Sequence, residues 1–73
     1  GVFISLIRYA RACRDYADFL YRARILTNRL LEQGYVATRL KALLQKFYGR
    51  HHELVDRYGV SICTMKTDLF KGS

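Results

Sequence analysis

Apolar residues recur along this chain at intervals of three and four, the period of an amphipathic helix. Over 3–13, Phe3, Ile7 and Ala10 form one face, with Leu6 and Cys13 alongside, while Arg8, Arg11 and Arg14 follow one another at i, i+3 on the other side. Asp15 then stands as an N-cap, and Asp18 falls in the first turn of the next helix, where a negative charge suits the dipole. Residues 16–33 carry the strongest pattern, with Tyr16, Phe19, Leu20, Ala23, Leu26 and Leu30 on one stripe. Gly34 follows as the residue that ends this helix in a left-handed conformation. Ile25 and Leu31 lie off the stripe and predict a second buried face.

The turn Gly34-Tyr35-Val36-Ala37 leads to Thr38, a second N-cap. Leu40, Leu43, Leu44, Phe47, Leu54 and Tyr58 keep one helical phase across Gly49, so one helix is expected over 39–57, with any kink at Gly49 and Gly59 as its C-cap. Ser61 caps a last helix over 62–70 carrying Ile62, Met65, Leu69 and Phe70; the alternation Val60-Ser61-Ile62 leaves a short strand as the competing reading. The fold class is therefore all-α, a small bundle of three main helices, 3–13, 16–33 and 39–57, plus a short C-terminal one. Its expected core includes Ile7, Phe19, Ala23, Leu26, Leu30, Leu40, Leu44, Phe47 and Leu54. At 73 residues, 1–73 is a single small domain. The chain begins with Gly and ends in the tail Lys71-Gly72-Ser73, and it reads as a piece of a longer protein.

Composition narrows the class. The chain has no Pro and is 51% hydrophobic, which argues against disorder. No apolar run approaches the roughly 18 residues of a membrane span, and Val2-Phe3-Ile4 is too short for a signal-peptide core. Cys13 and Cys63 lie far apart in apolar surroundings and read as reduced core residues. An intracellular place, nuclear or cytoplasmic, is expected.

Charge changes the picture most. The net charge is +7, and nine of the thirteen cations are Arg, the residue suited to bidentate phosphate contacts and to stacking on rings. Arg39, Lys46, Arg50 and Arg57 follow at offsets of 7, 4 and 7. On one continuous helix they fall within roughly 40° of one another, spread over roughly 27 Å, about 100° from the apolar stripe. A phosphate backbone is the natural partner for such a row, so these four are the candidate nucleic-acid-binding residues. Arg8, on another helix, is expected to contribute less. Tyr9, Tyr21, Tyr35 and Tyr48 stand close to cations, a mixture suited to base stacking but equally to a core edge. A helix–turn–helix built on 16–33 and the helix from 39 would present Arg39, Lys41 and Gln45, but any small bundle contains such a pair. Binding to the remainder of a parent protein, or dimerisation through the faces around Ile25 and Leu31, is the alternative function.

Catalytic chemistry finds no foothold. His51 and His52 are adjacent, so on a helix they point about 100° apart and cannot easily share an ion; neither paired-Cys nor spaced-His metal patterns occur. His51 is expected against Phe47 and Leu54, with His52 exposed. No Gly-rich phosphate loop, carboxylate pair or nucleophile motif is present. No catalytic residue, metal or cofactor is expected.

Two runs carry a resemblance: Gly1-Val2-Phe3-Ile4-Ser5-Leu6-Ile7-Arg8-Tyr9-Ala10-Arg11-Ala12-Cys13 and Phe47-Tyr48-Gly49-Arg50-His51-His52-Glu53-Leu54-Val55. Both resemble the region that follows the polymerase core in reverse-transcriptase-like proteins of animal retroelements. The first run departs from that pattern by one residue, a Gln missing between Ser5 and Leu6. The resemblance implies a thumb-like or connecting helical segment that holds the template–primer backbone, with the catalytic Asp residues upstream and none here.

Overall fold

The computed structural model describes residues 1–70, and the tail Lys71-Gly72-Ser73 lies outside the described residues. Four helices follow in order: α1 (Val2–Ala12), α2 (Tyr16–Glu32), α3 (Ala37–Asp56) and α4 (Ile62–Phe70). No strand occurs among the described residues, so the alternation at Val60–Ile62 yields to the helix capped by Ser61. Ser61 Oγ accepts from the Thr64 N–H at 3.1 Å. The Asp15 carboxylate does the same for α2, accepting from the Asp18 N–H at 2.9 Å. At the other end of α2, Gly34 adopts φ +101°. Its N–H donates to the Leu31 carbonyl at 3.1 Å, and the Tyr35 N–H donates to Leu30 at 3.0 Å. This pair of bonds satisfies carbonyls that the helix leaves open.

α1 packs against α2 and α3, and α4 packs against the same two; α2 and α3 share no comparable packing. The order around the bundle is therefore α1, α2, α4, α3. Helices that follow one another across the Gly34 turn are not packed partners, which removes the basis for a helix–turn–helix. One core joins Leu6, Ala10 and Cys13 to Phe19, Ala23, Leu26 and Leu30, then to Leu40, Leu44, Phe47 and Val55, and to Met65, Leu69 and Phe70.

Five expectations need correction. In α1, the buried line is Leu6, Ala10 and Cys13; Ile7 lies one step around the helix and is only half-buried. α3 begins at Ala37 rather than after Thr38: Val36 is the N-cap, without a side-chain bond, and its carbonyl accepts from the Leu40 N–H at 3.1 Å. The break in α3 falls at His51 (φ −132°, ψ 34°), not at Gly49, and the helix ends at Asp56. The break resets the phase, so Val55 takes the fully buried place and Leu54 moves to the edge. Finally, Cys63 is exposed while Cys13 is buried, and both are free thiols. The second face predicted on α2 divides as well: Leu31 packs partly against the core, but Ile25 is exposed.

Candidate nucleic-acid interface

Upstream of the break, α3 is regular and holds Arg39, Lys46 and Arg50 on one flank. Eleven steps separate the first from the last, roughly 17 Å of helix. All three residues are exposed. The Arg39 guanidinium lies over the Tyr35 ring, 5.3 Å from its centre, and that of Arg50 lies over Phe3 of α1 at 5.8 Å. These cation–π contacts restrain the two exposed guanidinium groups.

Arg57 does not continue this row. It follows the end of α3 as the C-cap residue, and its side chain turns inward. Nη2 donates to the Cys13 carbonyl at 2.7 Å and to the Tyr58 hydroxyl at 3.1 Å. That hydroxyl lies 2.8 Å from the Cys13 carbonyl and 3.2 Å from the Ala10 carbonyl, and shares its proton between them. Ala10 lies in the last turn of α1 and Cys13 is its extended C-cap residue, so both carbonyls stand at the helix end without intrahelical donors. A cation there also opposes the negative end of the dipole. Arg57 and Tyr58 thus form a C-cap for α1 supplied from 44 and 45 residues away. Burial holds the Tyr58 phenol above its ordinary range.

Arg24 reaches α4 from α2. Its Nε and Nη2 donate to the Asp68 carbonyl at 3.1 and 3.0 Å, while the Tyr16 hydroxyl donates to the Asp68 carboxylate at 2.5 Å. Burial, then this bond to an anion, raises the Tyr16 pKa strongly. No local signal marks Arg24 or Tyr16 as a partner of Asp68, because each acts across more than forty residues.

Four of the six acids, Asp15, Asp18, Asp56 and Asp68, serve elsewhere than on the cations, and exposed Glu53 follows Arg50 by three residues. Asp15 and Asp18 serve the start of α2. Asp56 accepts from Tyr48 at 2.7 Å and pairs with His52 at 3.0 Å, and these two bonds hold its carboxyl below the usual range. Among the described residues, His52–Asp56 is the only ion pair; no Arg or Lys pairs with a carboxylate. Residues 1–14 and 33–52 contain no acid at all. The flank of α3 therefore keeps its field, softened only by solvent and salt.

The remaining candidates are spoken for. Lys41 lies over the Phe70 ring at 5.5 Å, and Gln45 accepts from Lys66 at 2.9 Å, so both face α4 rather than offering a reading head. Together with Cys63 and Thr67, Lys41, Lys66 and Phe70 line an open cleft of about 420 Å³. His51 packs against Phe47 with ring centres 5.4 Å apart and planes tilted by 40°, and His52 is exposed, as its spacing predicts. No cluster of three or more metal-ligand side chains occurs among the described residues. Of the tyrosines near cations, Tyr35 supports Arg39, Tyr48 is bound to Asp56, Tyr9 is half-buried, and Tyr21 is 69% exposed.

No helix among the described residues is long and apolar enough to cross a membrane. No protein-family model, curated protein or solved structure matches the chain.

Proposed function

We propose that this chain is a helical module that binds a nucleic-acid backbone through Arg39, Lys46 and Arg50, as a non-catalytic thumb-like or connecting segment of a retroelement-type reverse transcriptase. The observation that carries the binding reading is the separation of charges: no Arg or Lys among the described residues has a carboxylate partner. A row of unpaired cations on a packed helix gains most by replacing small counterions with a chain of phosphates. The polymerase context rests on the resemblance of the two sequence runs. This reading places the chain inside the cell and assigns it no catalytic residue.

The test is the salt dependence of binding to generic duplex or hybrid. Three phosphate contacts give a log–log slope of about −2.7 on duplex, and Arg50→Gln lowers its magnitude by about 0.9. A slope untouched by Arg50→Gln removes α3 as the binding surface. One observation favours the second reading, a protein–protein module: Tyr21 and Ile25, four residues apart on α2, are 69% and 44% exposed. A dimer in sedimentation, with no binding of nucleic acid at low salt, would decide for it.

A further inference from the structure

We infer that the outer face of the α1–α3 pair is a two-walled site for single-stranded nucleic acid, with Arg11 and, farther around α1, Arg8 on one side of an apolar strip and the α3 row on the other. This deepens the nucleic-acid reading and rests on it. Phe3 fixes the geometry: it meets Phe47 edge-on at 5.8 Å and lies beneath Arg50. The cationic flank of α3 is therefore turned toward α1, while Lys41 and Gln45, on its opposite flank, meet α4. From Phe3, the surface of α1 continues away from the core through Ile7. Arg11 lies about 40° beyond Ile7, and Arg8 about 100° beyond it. Both arginines are exposed, without a bonded partner among the described residues.

The two helices thus present Arg8 and Arg11 on one wall and Arg39, Lys46 and Arg50 on the other. Axes of packed helices lie about 8–10 Å apart. Ile4, between Arg8 and Arg11, is 60% exposed, and Ile7 and Leu43 are half-buried in the strip. A duplex offers such a face only phosphates and sugars. A single strand can lay its bases on the apolar strip while its phosphates meet the walls.

Fluorescence anisotropy with a short oligothymidine and with a duplex of equal length, across a salt series, tests this. Five contacts predict a single-strand slope of about −3.5, at about −0.7 each. The Arg8→Gln, Arg11→Gln double variant should bring it to about −2.1 and cost about 25-fold in affinity near 0.1 M salt, since each contact is worth about 5-fold there. Arg22→Gln with Arg29→Gln, the same charge loss on exposed positions of α2, should cost less than about twofold. Extrapolated to about 1 M salt, where counterion release vanishes, the single strand should keep affinity that the duplex lacks. Ile7→Ser, in the strip itself, should lower that residue of affinity and leave the slope alone. Circular dichroism verifies that each variant stays folded. Equal intercepts for strand and duplex, or an Arg8/Arg11 variant that behaves like the α2 control, overturn the two-walled site and leave the α3 row standing. Absence of binding to either polymer at low salt overturns both.

Discussion

Replacing Arg57 with methionine separates a structural cation from a binding one. The substitution keeps an apolar stem but removes the guanidinium that bonds the Cys13 carbonyl at 2.7 Å and lies over Tyr58, 5.0 Å from its ring centre. A hydrogen bond from a charged donor contributes about 1.5–3 kcal/mol when shielded; at this exposed residue solvent screening takes it below that range, to about 1 kcal/mol. The charge at the C-terminus of α1 adds about 0.3–1 kcal/mol. Their sum, about 1.5 kcal/mol, is large for a chain of this size, whose whole stability is roughly 4–11 kcal/mol. It corresponds to a fall in Tm of about 6–12 °C. Thermal unfolding followed by circular dichroism reads this directly. Arg50→Met is the counterpart: it breaks only the contact over Phe3, so it should move Tm less and lower the salt slope of nucleic-acid binding by about 0.7–0.9. Arg57→Met should leave that slope alone. An unchanged Tm together with a reduced slope would refute the cap and return Arg57 to the binding row.

Gly34→Ala is expected to cost about 1 kcal/mol or more, because φ +101° strains any residue with a Cβ although the space around the position is open; an unchanged denaturant midpoint would count against the left-handed turn. Tyr16 makes stability fall in alkali. Its folded pKa lies well above the ordinary 10.0, so its contribution is whole below pH 10 and is lost as pH rises from there toward the folded value. Tyr16→Phe should flatten that part of the pH–stability curve, and a curve identical to the parent's would show that the bond to Asp68 does not matter.

Much of this molecule was legible without coordinates, and the legible parts share a cause. The Asp15 and Ser61 caps and the Gly34 turn are closed within a few residues. Helical period alone places Phe19, Ala23, Leu26, Leu30, Leu40, Leu44 and Phe47 in one core. Such features depend on bonds along the chain, so residue type and spacing suffice to find them. The row Arg39, Lys46 and Arg50 is legible for the same reason, since it lies on one uninterrupted stretch of helix.

What spacing could not supply depends on contacts between helices. Propensity alone points to Gly49 as the weak place in α3, yet the break sits at His51, where Phe47 and Val55 must both be fully buried on either side of it. That shift sends Leu54 to the edge and detaches Arg57 from the row. Whether a cation faces solvent or a carbonyl is settled by partners such as Cys13 and Asp68, distant in sequence and brought near only by folding. A helical wheel gives the angle of Arg57 or Arg24 around its own axis. Only the packing of four helices decides that Arg57 caps α1, that Arg24 bonds the Asp68 carbonyl of α4, and that α1 and the upstream part of α3 stand side by side.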